Sequence, residues 1–163
     1  MQITQGGKKV DGVQLDRISS VDEEVMYWRK ANHIHQWFEE NAQGGQEDRG
    51  EYLLEITHLE ELLRCCKEVI EASVLVAGTV EDGTVYDKDH PNGVTLRVPG
   101  KVIKDATVAH KLLPTCDGFF FGSTEYNEDY LDEVIRTRDW LLRMISQIKD
   151  DVVPGDIYYS SSW

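Results

Sequence analysis

Hydrophobic residues recur at helical spacing in three separate parts of the chain. In the first part the spacings are four, three and four residues, the period of one helix face, and the stripe consists of Tyr27, Ala31, Ile34 and Phe38. Ser20 and Glu23 have the spacing of a capping box, in which each side chain accepts a backbone N–H at the start of a helix. The pattern predicts a helix from Ser20 to about Asn41.

Two later segments repeat this pattern. A capping box of Thr57 and Glu60 predicts the start of a second helix, with the stripe Leu59, Leu62, Cys66 and Val69. A last long helix is predicted to begin after Ser123-Thr124 and to reach about Lys149, with the seam Leu131, Val134, Arg138, Leu141, Ile145 and Ile148. Because a charge inside a bundle needs a partner, we expect Arg138 to pair with a carboxylate on a facing helix.

The segment between the second and last helices has the pattern of β-strands instead. Residues 74–80 are rich in β-branched side chains, and residues 94–98 alternate between apolar and polar positions. Glu81-Asp82-Gly83 is a turn signal that predicts a return strand at residues 84–86. Pro99-Gly100 is a second turn signal, after which a short further strand is expected.

These elements combine into one predicted fold. After the strands, Asp105 has the position of an N-cap for a short helix that ends before Pro114. Amphipathic helices of this length bury their stripes against one another as a bundle. We therefore predict a single α+β, mainly α, domain over residues 1–163: an amphipathic helical bundle of residues 20–72 and 105–150, a β-hairpin or three-stranded insertion of residues 73–103, and an aromatic C-terminal tail of residues 154–163.

Three aromatic motifs follow one another along the chain. They are YWRKANHIHQWF from Tyr27, LLPT from Leu112 running into GFFFGST from Gly118, and YYSSSW from Tyr158. In this order they resemble the motifs of a family of small, functionally uncharacterised bacteriophage proteins, with residues 1–15 and 73–110 outside the resemblance. The resemblance implies a phage origin and brings no established activity.

Charge, hydropathy and cysteine usage exclude several classes of function. The chain has 30 acidic and 17 basic residues, a net charge of −13, which disfavours nonspecific binding to nucleic acid or to anionic membranes. It has no apolar run of about 18 residues, so we expect no membrane span. Cys65, Cys66 and Cys116 lack metal-ligand spacing, so we expect free thiols in a reducing cytoplasm, here that of the infected host bacterium.

Histidine spacing also bears on metal binding. His33 and His35 lie two residues apart, and on a helix such side chains point about 200° apart, so they cannot share one ion. We expect one of them to pack and the other to face solvent, and we predict no metal site. The chain shows no nucleophile–base pair, so we predict neither catalytic residues nor a cofactor.

Two groups of residues have the chemistry to bind an anionic ligand that carries an aromatic base. On the predicted first helix, cations beside rings can hold a phosphate while the rings stack on a base, and these residues are Trp28, Arg29, Lys30 and Trp37. Residues 94–116 carry a local charge of +3, from Arg97, Lys101, Lys104 and Lys111 against Asp105. The alternatives are that the rings build the core and that the cations pack against an acidic neighbour or a second protomer.

Two hypotheses of function follow. The first is a phage-encoded, non-catalytic protein that sequesters a nucleotide-derived host immune signal, such as a cyclic nucleotide or a cyclic ADP-ribose species, a role taken by analogy from phage biology. The second is an acidic inhibitor that binds a host enzyme as a protein partner or imitates nucleic acid, which the charge of −13 favours. In either case the supply of aromatic residues predicts a homo-oligomer, with the tail or a broad helix face at the interface.

Overall fold

The computed structural model describes residues 4–5, 8–9, 15–45, 50–86, 88, 90–91, 93–117, 122–152 and 155–161. Within these residues the α-helices are α1 (Asn32–Asn41), α2 (Ile56–Ala72), α3 (Thr107–Leu112) and α4 (Glu128–Lys149). The strands are β1 (Thr4–Gln5), β2 (Lys8–Lys9), β3 (Glu51–Leu54), β4 (Leu75–Val85), β5 (Val94–Ile103) and β6 (Ile157–Ser160). They pair as antiparallel two-stranded sheets, β1 with β2, β3 with β6 and β4 with β5. The predicted α+β, mainly α, class with a β-hairpin insertion is confirmed.

Helices α2 and α4 form the centre of the core because each carries the predicted apolar stripe. The α2 stripe is fully buried at Leu59, Leu62, Cys66 and Val69, and the α4 seam is buried at Leu131, Val134, Leu141 and Ile145. Helix α2 starts slightly earlier than predicted. The backbone N–H of Glu55 donates to Nδ1 of His58 at 3.1 Å, so these two residues form the cap instead of Thr57 and Glu60.

The start and the charged position of α4 differ from the prediction. Asn127 caps the helix, since its side-chain oxygen accepts the backbone N–H of Tyr130 at 3.0 Å. Arg138 pairs with the adjacent Asp139 at 2.7 Å and is partly exposed, so the predicted ion pair with a facing helix is wrong. The neighbouring carboxylate holds the guanidinium at the edge of the bundle, where water solvates both charges.

The predicted helix from Ser20 is wrong in its first half. Residues 18–31, which we call the strap, contain no helix, and α1 begins only at Asn32. Lys30 has a φ of 61°, a left-handed conformation that an α-helix cannot pass through. The capping-box spacing of Ser20 and Glu23 therefore has no helix to cap.

Contacts with α4 explain why the strap is not helical. The indole Nε1–H of Trp28 donates to Oγ1 of Thr137 at 2.8 Å, and its ring meets Trp140 edge to face with centroids 5.2 Å apart. Arg136 donates from Nη2 to the backbone carbonyl of Tyr27 at 2.8 Å. These tertiary contacts fix the strap backbone on α4, and they outweigh the weak local preference for a helix.

The aromatic tail lies on the chain's own bundle. Strand β6 pairs with β3, which places Tyr159 over α1. Its ring stacks on Phe38 with centroids 4.2 Å apart, and its hydroxyl lies 2.7 Å from Nδ1 of His35. The final residues 162–163 and the phenylalanines of the loop at 118–121 lie outside the described residues.

The insertion is a single long hairpin instead of several short strands. The predicted turn at Glu81-Asp82-Gly83 is a bulge of one extra residue, after which β4 continues, so the return strand at 84–86 is wrong. Pro99-Gly100 lies inside β5 and makes no turn. Proline is tolerated there because both strands of a two-stranded sheet are edge strands. After the hairpin, α3 begins at Thr107 with Ala106 as its N-cap, so the prediction of Asp105 as the N-cap is wrong by one residue. Oδ1 of Asp105 accepts the Thr107 N–H at 3.0 Å from the position before the cap.

Candidate functional site

The hairpin of β4 and β5, which we call the arm, is the most unusual surface feature. Its register runs from Leu75 opposite Ile103 at the base to Val85 opposite Val94 at the outer end. In an antiparallel pair, residues opposite each other lie on the same face, and the face alternates along each strand. The arm therefore has two faces of different composition.

One face is apolar and the other is polar. The apolar face consists of Val76, Gly78, Val80, Val85, Val94, Leu96, Val98, Gly100 and Val102. The polar face consists of Ala77, Thr79, Glu81, Thr84, Thr95, Arg97, Pro99 and Lys101. Such alternation is the pattern of a strand pair that covers a hydrophobic partner with one side.

Two glycines make the apolar face flat. Gly78 and Gly100 lie opposite each other, and a Cβ on Gly78 would come within 2.8 Å of Val102 Cγ2. A Cβ on Gly100 would come within 2.7 Å of Val80 Cγ2. The valine side chains thus lie across the glycines and form one continuous apolar strip.

The polar face is tied to the residues that precede and begin α4. Arg97 Nη2 pairs with Glu125 Oε1 at 2.5 Å, and the other oxygen of Glu125 accepts the backbone N–H of Glu81 at 2.8 Å. Lys101 Nζ pairs with Glu128 Oε1 at 2.6 Å, and that hydrogen bond raises the pKa of Lys101. The acidic neighbour that the sequence left as an alternative is therefore the start of α4, and these cations hold the arm in place.

Backbone contacts fix the base of the arm. Ile103 N–H donates to the Tyr126 carbonyl at 2.9 Å, and Lys104 N–H donates to the Val74 carbonyl at 2.8 Å. Ile103 is buried and Leu75 packs against the core. The base is thus part of the core, and the contacts of the arm with the described body include the β-bridge between Val102 and Asn127 and the ion pairs of the polar face.

The apolar face is left without a cover within the described residues. Four of its members are 36–44% exposed, namely Val76 near the base and Leu96, Val94 and Val85 towards the outer end. Val80, Val98 and Val102 are half-buried and are absent from the residues packed on the core. A contiguous exposed apolar strip of this kind is typical of a protein interaction surface.

The residues predicted to bind the aromatic base of a ligand lie in two different environments. Trp37 is buried, and Trp28 packs against Phe38 with centroids 5.6 Å apart in addition to its contacts with α4. Arg29 and Lys30 are exposed at the end of the strap. The rings therefore belong to the core, and the cations beside them face solvent.

The cationic part of the predicted site lies together on β5. Arg97 and Lys101 share the polar face, and Lys104 follows the end of the strand. Two of these three cations pair with carboxylates of the same chain, while Lys104 forms no ion pair within the described residues.

The buried histidines and thiols have structural surroundings. His33 and His35 are both buried, so the expectation that one faces solvent is wrong. Burial lowers the pKa of His33 to about 3, and burial raises the pKa of the Cys66 thiol to about 12. Across the described parts of the chain, no group of three or more His, Cys, Asp or Glu side chains is placed to hold a metal ion.

Comparisons with known proteins do not identify a relative. No family model, no curated protein and no solved structure matches the chain. Among the described residues, no helix is both long enough and apolar enough to cross a bilayer.

Sequence reasoning found the strands of the arm but missed its apolar face as a site. The signal was present, since apolar residues occupy every second position from Val94 to Val102 apart from Gly100. Alternation alone predicts that one face is covered, and it cannot say whether the cover belongs to the same chain.

Proposed function

We propose that this protein is a non-catalytic protein-interaction module that binds through the apolar face of its arm. One observation carries the proposal: the apolar face is a continuous strip of valine and leucine that the described body does not cover. The proposal develops the second hypothesis from the sequence, an acidic interaction protein. Inhibition of a host enzyme stays a prediction that depends on the phage resemblance.

The energetics of the arm support a binding role. An isolated two-stranded hairpin is at best marginally stable in water, and a third strand or a packed face is usually required. Here the ion pairs of Arg97 and Lys101 hold the polar face, but exposed ion pairs contribute only about 0–1 kcal/mol each. Covering the apolar face would contribute about 25 cal/mol for each Å² of apolar surface removed from water. A partner that covers this face would therefore also stabilise the arm.

Site-specific photo-crosslinking tests the proposal. A photoreactive phenylalanine analogue is placed at Leu96 on the apolar face and, as the matched control, at Thr95 on the polar face. Both positions are exposed, and neither belongs to the core. We expect a discrete protein adduct from position 96 in a bacterial extract that is absent from position 95. The adduct is identified by mass spectrometry, and direct binding to that protein should weaken at least tenfold in Leu96→Lys.

Equal adducts from both positions, or none from position 96, would contradict the proposal. An identified partner that binds wild type and Leu96→Lys equally well would contradict it too, because the lysine places a charge on the apolar face. Circular dichroism of each variant checks that the fold is retained.

The second candidate is sequestration of a nucleotide-like anion, which the placement of Arg97 and Lys101 on one face of β5 favours. To bind a phosphate these side chains must leave Glu125 and Glu128. Calorimetric titration with cyclic nucleotides and cyclic ADP-ribose species tests it. Arg97→Ala and Lys101→Ala should weaken binding by about ten- to a hundredfold, since a charge-assisted hydrogen bond contributes roughly 1.5–3 kcal/mol. Lys67→Ala, an exposed cation on α2, is the matched control, and the absence of binding below about millimolar rejects this candidate.

A further inference from the structure

We infer that the arm is protected against strand addition, and that the ion pair of Arg97 and Glu125 blocks the outer edge of β4. The inference goes beyond the proposed function, because it concerns the backbone edges of the arm and not its apolar face. Within the described residues β4 and β5 form a sheet of two strands, so each strand has an outer edge. Unpaired backbone groups on such an edge are a template on which a strand of another molecule can add.

A hydrogen bond at the base of the arm shows which backbone groups point outwards. In an antiparallel pair of strands, residue pairs that exchange two hydrogen bonds alternate with non-hydrogen-bonded pairs, whose N–H and C=O groups point away from the partner strand. Leu75 lies opposite Ile103, and Ile103 donates its N–H to the Tyr126 carbonyl, outside the hairpin, at 2.9 Å. Leu75 and Ile103 are therefore a non-hydrogen-bonded pair.

The same alternation places Thr79 and Glu81 on the outer edge of β4. Their partners in the register are Pro99 and Arg97, four and six residues before Ile103, so both pairs are again non-hydrogen-bonded. Pro99 agrees with this assignment, because a proline has no N–H to donate to the ladder. The carbonyl of Thr79 and the N–H of Glu81 consequently point away from β5.

Two side chains bind these outward backbone groups. Arg97 extends across the polar face and donates from Nη2 to the Thr79 carbonyl at 3.0 Å. Glu125 accepts the N–H of Glu81 on Oε2 at 2.8 Å, and its Oε1 pairs with the same nitrogen of Arg97 at 2.5 Å. One guanidinium and one carboxylate thus satisfy neighbouring edge groups of β4 and also bind each other. A strand that adds to this edge has to displace both side chains.

The outer edge of β5 is protected by other features. Pro99 leaves the middle of that edge without one of its outward donors. At the base, Val102 forms a β-bridge with Asn127, which covers part of the edge. Lys101 lies between these two positions, and a lysine on an edge strand opposes strand addition. A partner that binds the arm therefore has to contact the side chains of a face instead of extending the sheet.

Amide hydrogen exchange, measured residue by residue with NMR, tests the contact at the edge. Glu125→Ala removes the acceptor of the Glu81 N–H, so that amide should exchange about tenfold faster than in wild type, or faster still. Lys101→Ala is the matched control, because it removes a second ion pair between the arm and α4, and the Lys101 ammonium binds no backbone group of an edge. Its Glu81 amide should exchange within about twofold of the wild-type rate. Equal exchange of the Glu81 amide in wild type and Glu125→Ala would contradict the assignment.

Assembly through strand edges tests the protective role. Wild type and variants are incubated at equal concentration with thioflavin T, and sedimentation measures the loss of soluble protein. Glu125→Ala should assemble after a lag about tenfold shorter than that of wild type, or shorter still, while Lys101→Ala should keep the wild-type lag. Adding Thr79→Pro to Glu125→Ala should restore the wild-type lag, because the proline removes an outward N–H without removing a hydrogen bond to β5. Arg97→Ala, which frees the Thr79 carbonyl, should shorten the lag as Glu125→Ala does and replaces it if that variant does not fold.

The same measurements can overturn the inference. If Glu125→Ala and Arg97→Ala assemble no faster than wild type, their ion pair does not protect the edge. If Lys101→Ala assembles as fast as Glu125→Ala, the cause is the loss of an ion pair on the polar face and not the opening of the β4 edge. If Thr79→Pro does not lengthen the lag of Glu125→Ala, assembly does not use that edge. Circular dichroism of each freshly purified variant checks that the fold is retained.

Discussion

His33 should make the stability of this protein fall as the solution becomes mildly acidic. The imidazole is 4% exposed, its ring lies 4.4 Å from that of Tyr130, and its Nε2 has no hydrogen-bond partner within the described residues. Burial lowers its pKa from the ordinary value of 6.5 to about 3. The folded protein therefore keeps the neutral imidazole under conditions in which the unfolded chain binds a proton.

The sign and size of the effect follow from this difference. Above pH 6.5 both states hold a neutral His33, and its contribution to stability is fully present. As the pH falls below 6.5, proton uptake favours the unfolded chain by about 1.4 kcal/mol per pH unit, until the folded state also binds the proton near pH 3. At pH 5 the loss is about 2 kcal/mol, or roughly 4–8 °C in Tm for a domain of this size.

Urea unfolding at pH 8 and pH 5 measures the effect. Wild type should lose about 2 kcal/mol more than His33→Phe between these pH values, because the variant has no proton to bind at this position while carboxylates titrate in both. His33→Gln provides a second neutral variant in case phenylalanine packs poorly. If wild type and both His33 variants lose stability equally, to within about 0.5 kcal/mol, the argument about His33 is refuted.

Three further substitutions test the strap, the tail and the arm. Trp28→Phe should lower the free energy of unfolding by about 1–3 kcal/mol, because it removes one hydrogen bond and part of a ring contact with α4. A loss of less than about 0.3 kcal/mol, measured by urea titration, would contradict the role of the strap. Tyr159→Phe removes the hydrogen bond with His35 and should cost about 0.5–1.5 kcal/mol by the same assay, with ring stacking retained; an unchanged midpoint would argue against that bond. Gly100→Ala places a Cβ against Val80 and should speed hydrogen exchange in β4 and β5. Adding Val80→Ala should restore the slower exchange. If exchange stays fast in the double variant, the clash with Val80 is not the cause.

The sequence by itself determined the parts of the fold that depend on local periodicity. The α2 stripe and four apolar positions of the α4 seam, Leu131, Val134, Leu141 and Ile145, are buried because three-and-four spacing places those side chains on one face of a helix. The strands of the arm were predictable for the same reason, since β-branched alternation has a period that a helix cannot satisfy. The class of fold follows from these elements alone.

Only the tertiary structure decided where long-range contacts override local preference. The strap has the residues of an amphipathic helix, but Trp28 and the carbonyl of Tyr27 are held by Thr137 and Arg136, more than a hundred residues away. The bulge between Glu81 and Thr84, after which β4 continues to Val85, likewise depends on pairing with β5.

The candidate site shows the same division. Sequence alone identified the cations of β5 and the alternation of the arm. It could not show that Arg97 and Lys101 pair with Glu125 and Glu128, nor that the described part of the body leaves the opposite face uncovered. Both facts depend on the direction in which the arm leaves the core, which the backbone bonds of Ile103 and Lys104 set. The apolar pattern predicts that one face of the arm is buried. Only the folded structure shows whether residues of the same chain bury it.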